Sequence, residues 1–304
     1  MSAVPETERP ALDAFAVAMM VMLTFSWGLN QVAIKVSNVG YNPVFTVVVR
    51  SALAGLLVFL WCRWRAIPLF RRDGTLLPGI AVGALFGLEF VLMFVGLDYT
   101  SAARSALMIN TMPFWVLIGG HFLLGERFTL VKLAGLAVAF GGVALIFSDE
   151  LSLPGPQAIV GDMLCLAAGV LWAAITLIVK ATRLSQASAE KTLLYQLAVS
   201  ALVVAPFVPF AGPALRDVTA IATASVVFQA AYVVAFTFVL WFWLMRRYPA
   251  SGLSSFAFLT PAFGVILGGL LLGEPLSPRI FAALALIAVG LLLVNRPVRR
   301  TLPG

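Results

Sequence analysis

Long apolar runs separated by short polar breaks set the pattern of this chain. They cover residues 14–34, 44–62, 77–97, 102–124, 129–147, 158–179, 191–210, 219–244, 251–272 and 278–294. A helix needs about 20 such residues to cross a hydrocarbon core of about 30 Å. The runs are continuously apolar, whereas barrel strands alternate apolar and polar positions over about ten residues. The pattern therefore predicts an all-α integral membrane protein with ten transmembrane helices and almost no soluble domain. The first run is too long for a signal-peptide core and carries no evident cleavage site, so it is expected to remain as a helix.

Composition strengthens this expectation. The chain is 62% hydrophobic and 11% charged, with a mean hydropathy of +1.03, against about 25% charged residues in soluble domains. The net charge of +7 would suit nucleic acid, but its placement speaks for topology and against a nucleic-acid partner. With the N-terminus inside, fifteen of the twenty Lys and Arg residues fall on the inner side, Arg63, Arg65, Arg71 and Arg72 among them, and only Lys35, Arg104, Arg216 and Arg279 fall outside. The positive-inside rule then puts both termini in the cytoplasm and the acidic segment 148–156 on the far face. Cys62 and Cys165 sit at a helix edge and within a helix, so no disulfide and no metal site is expected.

The run TMPFWVLIGGHFLLGE (111–126) returns as LTPAFGVILGGLLLGE (259–274). Aligning Pro113 with Pro261 gives seven identities in fourteen positions, and the register continues to Gly142 and Gly290. A second echo pairs WGLNQVAIK (27–35) with WAAITLIVK (172–180). Five helices thus occur twice, and because five is odd the second copy enters from the opposite side, as an inverted repeat. The expected organisation is a cytoplasmic segment 1–13, a first five-helix repeat 14–147, an extracytoplasmic linker 148–157, a second repeat 158–294 and a cytoplasmic tail 295–304.

The segment LDYTSAARSALMINTMPFWVLIGGHFLLGERFTLVKLAGLAVAFGGVALI (97–146) resembles the YTSA…P…LGE segment of EamA-type transporters in the drug/metabolite transporter superfamily. The second half repeats the proline and LGE parts, with RYPASG in place of DYTSAA. Within the family the chain is most similar to aromatic amino acid exporters of the YddG type. The resemblance implies a secondary transporter in the bacterial inner membrane that exports small metabolites by alternating access, with no cofactor. A monomer is the expected working unit.

Polar residues at membrane depth mark the candidate pathway, because a central Arg costs about 2.5–3.5 kcal/mol to insert. Counting about 1.5 Å per residue, Trp27, Asn30, Arg50, Glu89, Asn110 and Gln229 share the outer half of the bilayer. For an amino acid, Arg50 or the amides of Asn110 and Gln229 offer donors to the carboxylate, and Glu89 or a side-chain oxygen an acceptor for the ammonium. Trp27, Met108, Trp115 and Trp172 are candidate apolar walls, with Tyr99 and Tyr195 as polar-tipped neighbours. The competing structural roles are an Arg50–Glu89 ion pair, interhelical hydrogen bonds for the amides, and packing for the tryptophans. Trp61, Trp64, Trp241 and Trp243 fit the interfacial belt. Pro113 and Pro261 each remove a helical hydrogen bond and kink the helix, as static bends or as paired hinges. Glu126 and Glu274 are expected to serve the loops. The competing functions are multidrug or other metabolite efflux, lipid scrambling and membrane enzymology, and no metalloprotease, P-loop or nucleophile-elbow motif supports the last.

Overall fold

In the computed structural model the described residues are 12–97, 99–148, 156–273 and 276–296. They form a helical bundle: α1 (Ala14–Gly40), α2 (Pro43–Trp64), α3 (Leu76–Leu97), α4 (Ala102–Ile109), α5 (Met112–Leu124), α6 (Leu130–Ile146), α7 (Pro156–Ala181), α8 (Ala189–Val204), α9 (Ala220–Phe228), α10 (Phe238–Met245), α11 (Ala250–Ser255), α12 (Leu259–Leu272) and α13 (Arg279–Val294). Eight uninterrupted or jointed helices are long and apolar enough to cross a membrane, while α6 and α13 are shorter apolar helices of 17 and 16 residues.

Several helices start where the chain supplies a side-chain acceptor for the orphan amides of the first turn. Asp13 accepts from the Ala16 amide at 2.8 Å, Asn42 from Val44 at 2.9 Å and Thr129 from Lys132 at 3.2 Å. The two LGE copies end their helices alike, with Gly125 and Gly273 left-handed at φ 68° and 71°, a conformation glycine adopts without a Cβ clash.

Several helices predicted as continuous are jointed. The run 102–124 breaks between Ile109 and Met112, one turn before Pro113, because proline cannot bond back to residue 109 and crowds its carbonyl. A 3₁₀ turn, Phe256–Phe258, stands in the same relation to Pro261. Between α9 and α10 the chain widens into a π-helix over Gln229–Thr237. No proline marks that joint, so the pattern of the sequence gives no sign of it.

Close backbone approach holds the halves together. The Cβ that an alanine would add at Gly135 would lie 2.8 Å from the Gly290 carbonyl, and one at Gly142 would lie 2.7 Å from the Ala283 carbonyl. As the contact moves forward along α6 it moves backward along α13, so these two helices run antiparallel. Gly28 lets α1 approach the backbone of α12 at Phe263 and Gly264, and α7 packs on α5 through Ala173, Met112 and Val116. Small residues at such crossings compensate for lipid's inability to drive helices together.

Outside the bundle, Asp73 in the α2–α3 connection accepts from Lys191 Nζ at 2.8 Å and from the Thr75 hydroxyl at 2.6 Å. These bonds, that from Lys191 first, hold its carboxyl well below the usual carboxylate range.

Gly142→Ala should lower stability by about 1–3 kcal/mol, because the clash is with backbone, while Gly141→Ala, with nothing within 4 Å of its new methyl, should change it little. Thermal unfolding in detergent compares the two. Asp73→Asn should cost about 1 kcal/mol at neutral pH, since solvent screens the pair from the 38%-exposed Asp73 side. The depressed pKa means that this contribution is complete above the unfolded value of about 3.9 and fades as pH falls below it. The gap between variant and parent should therefore close in acid, as melting curves across pH will show.

Candidate functional site

A cavity of about 1020 Å³ occupies the end of the bundle where α1 passes to α2, α3 to α4 and α8 to α9. On α1 it is lined by Gln31, Ile34, Lys35 and Asn38, and on α2 by Pro43, Thr46, Val47 and Arg50. These residues follow the i, i+3, i+4, i+7 spacing of a helical face, and Val32 and Val44 beside them widen it. Phe90 and Phe94 of α3, Trp172 of α7 and Phe207 beyond α8 supply aromatic wall. Asn110, in the joint between α4 and α5, and Thr260 and Pro261 of α12 also line it. The helix breaks one turn before the two prolines thus lie beside the cavity.

The polar chemistry of the lining is unfinished. Eight buried side-chain atoms among the described residues have no hydrogen-bond partner, and five of them belong to lining residues: Asn38 Oδ1, Thr46 Oγ1, Arg50 Nε, Gln229 Oε1 and Thr260 Oγ1. Leaving such an atom unpaired costs about 1–3 kcal/mol, so their concentration singles out this cavity among the described residues. Gln229 is oriented by its own amide, whose Nε2 donates to Ser37 Oγ at 3.0 Å and to the Ala33 carbonyl at 3.4 Å, leaving the oxygen unused. Arg50 is 7% exposed and its guanidinium carbon lies 4.8 Å from the Phe90 ring centroid. The cations in the lining are Lys35, Arg50 and Arg216, and no acidic side chain is among the lining residues described.

Of the residues singled out by depth and chemistry, Arg50, Asn110, Trp172, Gln229 and Pro261 meet at this cavity. Glu89 does not line it; its Oε2 is buried without a partner, it interacts electrostatically with Arg50, and no ion pair closes between them. Asn30 likewise lies off the lining with a buried, unpartnered Oδ1. Trp27 is tied into packing: its indole N–H donates to Thr237 Oγ1 at 3.0 Å, and its ring meets Phe238 and Trp241 edge-on. Trp241 is therefore buried, at 7% exposure, and does not sit in an interfacial belt. Trp115 and Tyr99 face outward from the bundle, the former donating to Thr111 Oγ1 at 3.2 Å. Met108 is absent from the lining because α4 presents Ala103, Ser105, Ala106 and Ile109 there. Tyr195 belongs to the opposite end, its hydroxyl 3.2 Å from Thr75 Oγ1 at the start of α3. Pro113 is buried at the start of α5. Depth counted along the chain places a residue in a layer; helix rotation decides which neighbours it meets.

Comparison with known proteins decides the family. The profile of the EamA-like transporter family matches the chain twice, over residues 14–148 and 159–296. The chain belongs to the EamA-like transporter family. An uncharacterized transporter of Bacillus subtilis (strain 168), YvbV, is 27% identical over 97% of this chain and 94% of that protein. A protein named as a probable amino-acid metabolite efflux pump is 28% identical in Salmonella typhimurium, over 92% of this chain and 93% of its own length. The Escherichia coli (strain K12) protein of the same name is 27% identical, with 89% and 91% covered. A solved crystal structure superposes with a TM-score of 0.79 at 21% identity, covering 92% of this chain and 97% of its own, and shares the fold.

In this EamA-like chain the other end of the bundle carries a polar contact that reading the sequence assigned to loop structure. Glu126, 5% exposed, accepts from the Ala250 amide at 2.5 Å, from the Ser251 amide at 3.1 Å and from the Ser251 hydroxyl. Lys132 Nζ donates to the same hydroxyl at 3.2 Å. The LGE repeat was visible in the sequence; its partner, 124 residues downstream, was not. Asn38 and Thr46 were also passed over, because they stand close to helix ends where polar residues are ordinary.

Thr237→Val strands the Trp27 indole N–H and should cost about 1–3 kcal/mol, whereas Thr46→Val removes a hydroxyl that has no partner and should leave stability unchanged or higher. Thermal unfolding followed by tryptophan fluorescence distinguishes the two.

Proposed function

We propose that this protein is a secondary transporter that exports small metabolites, aromatic or other apolar amino acids first among them, by alternating access through the 1020 Å³ cavity. The observation that carries the proposal is the set of unsatisfied atoms in its lining. A zwitterion needs a donor for its carboxylate and acceptors for its ammonium. Arg50 Nε supplies the first, and Asn38 Oδ1 and Gln229 Oε1 the second, with the hydroxyls of Thr46 and Thr260 as auxiliaries. The ammonium partner is thus a pair of amide oxygens in place of Glu89. Phe90, Phe94 and Trp172 offer apolar wall to the side chain.

The two five-helix repeats, 14–147 and 158–294, are part of this reading. The double family match and the antiparallel α6 and α13 support an inverted relation between them, in which α6 and α13 also span the bilayer and bring the helices to ten. Lys and Arg distribution supports cytoplasmic termini, which turns the cavity outward. Pro113 and Pro261, each just after a helix break, are the hinges of the two halves. The excess of cations in the lining favours a second reading, an organic acid without an ammonium, and disfavours cationic drugs.

Purified protein in liposomes should show saturable phenylalanine flux with counterflow. Lipid flipping without solute flux would identify a scramblase, and flux without saturation or counterflow a pore. Arg50→Gln should raise KM for phenylalanine by about ten-fold or more, the worth of a charged hydrogen bond, while sparing any flux of a large organic cation. Unchanged phenylalanine KM would overturn the role of Arg50, and preferred flux of phenylpyruvate would select the second reading.

A further inference from the structure

At the end of the bundle opposite the cavity, Arg63, Arg65, Arg71 and Arg72 fall within ten residues, where α2 passes into the α2–α3 connection. The helix ends in a tight reversal: Ala66 takes a left-handed φ of 53°, and the Ile67 amide donates to the Cys62 carbonyl at 2.9 Å. The chain then folds back and leaves a second cavity of about 440 Å³, with Arg63, Phe70 and Arg71 in its wall and buried Cys62 beside them. The wall is anchored on both sides. Ile67 and Leu69 pack against the hydrophobic core, and Lys191 Nζ of α8 donates to the Arg71 carbonyl at 3.2 Å and to Asp73 at 2.8 Å.

The guanidinium groups, by contrast, are uncommitted. Among the described residues, the side chains of Arg63, Arg71 and Arg72 make no hydrogen bond or ion pair, and Arg65 lies over the Trp61 and Trp64 rings at 5.6 and 5.9 Å. The acids nearby are Asp73, already bonded to Lys191 and Thr75, and Glu190 at the start of α8, which acts electrostatically on Cys62. Cations therefore prevail around this cavity. An apolar track runs toward it from the bilayer, because Leu56, Leu60 and Trp64, spaced i, i+4, i+8 along α2, are all exposed. Phe70 is exposed beyond them.

We propose that this cavity binds one anionic phospholipid, with its phosphate on the N–H donors of Arg63 and Arg71 and its acyl chains along Leu56 and Leu60. Trp64 and Phe70 stand at the boundary between headgroup and chain, where aromatic rings settle. Guanidinium forks match phosphate oxygens, and arginines beside an acyl layer meet both parts of such a lipid. Free phosphate would use the arginines and leave the apolar track empty. A zwitterionic lipid carries a cation of its own, which the surrounding guanidinium groups repel. The site goes beyond the transport reading and does not depend on it.

The test uses the full chain in dodecyl maltoside micelles, followed by thermal unfolding and native mass spectrometry. Dioleoyl phosphatidylglycerol should raise the melting temperature saturably and leave a single retained lipid, whereas the same amount of dioleoyl phosphatidylcholine should do neither. Arg63→Gln with Arg71→Gln should weaken phosphatidylglycerol binding by about ten-fold or more, as expected for two cations beside one anionic lipid. Arg246→Gln with Arg247→Gln removes equal charge after α10, at the same end of the bundle, and should leave binding unchanged. Equal loss in the two double variants, or equal binding of the two lipids, overturns the site. Inorganic phosphate and glycerol 1-phosphate should not shift the melting temperature; a shift that Arg63→Gln with Arg71→Gln abolishes would identify a free anion and overturn the lipid. If the glutamine pair fails to fold in lipid-free micelles, Arg63→Lys with Arg71→Lys, which keeps charge and removes the fork, decides on the same readout: a smaller loss supports the site and unchanged binding overturns it. No transport substrate enters these measurements, so their outcome is independent of phenylalanine flux.

Discussion

Lipid offers no hydrogen bonds, and nearly every feature of this chain answers that constraint. Backbone groups in the bilayer must find partners within the protein, which selects helices from end to end. The same constraint sorts the side chains. Thr24, Ser26, Thr182 and Thr192 donate to carbonyls one turn back along the chain. Among the described residues, most of the buried polar atoms left over belong to the lining of a single cavity.

Because apolar surface gains nothing by moving from lipid to protein, the halves are held by close fit and by a few polar contacts. Gly135, Gly142 and Gly28 bring backbones into contact where any Cβ would collide. Such surfaces are rigid bodies with sharp optima, suited to rocking as units. Polar ties occupy the ends. Arg104 and Asp162 join α4 to α7 by an ion pair, Lys180 donates to the Tyr248 carbonyl at 2.5 Å, and Glu126 receives α11. Between them the jointed helices carry the breaks, and the π-turn at Gln229 supplies an irregular segment bordering the cavity.

The electrostatics of the cavity set Arg50 apart from Glu89. Arg50 is buried and stacked on Phe90, with a free donor, whereas Glu89, one residue earlier on α3, turns out of the lining. Glu89 Oε2 is buried outside the lining, and the carboxylate closes no ion pair with the guanidinium. The lining thus joins cations with aromatic and amide groups, with no acidic side chain among the lining residues described.

The sequence by itself determined the all-helical membrane class, the approximate helix positions and the duplication around the proline and LGE motifs, because apolar length and helix-breaking residues act locally. It also located Arg50, Asn110 and Gln229 in a shared layer and named Trp172 as apolar wall, since depth follows from counting residues along a helix. Tertiary structure alone decided which faces turn inward. Trp27 and Tyr195 lie deep yet belong to packing and to the opposite end, while Asn38 and Thr46, near helix ends, line the cavity. A membrane helix apolar on all sides carries no periodic signal for its rotation, so rotation is fixed only by the helices packed against it. The partner of Glu126 was hidden for the same reason: contacts between residues so far apart in the chain exist only once the two halves have packed.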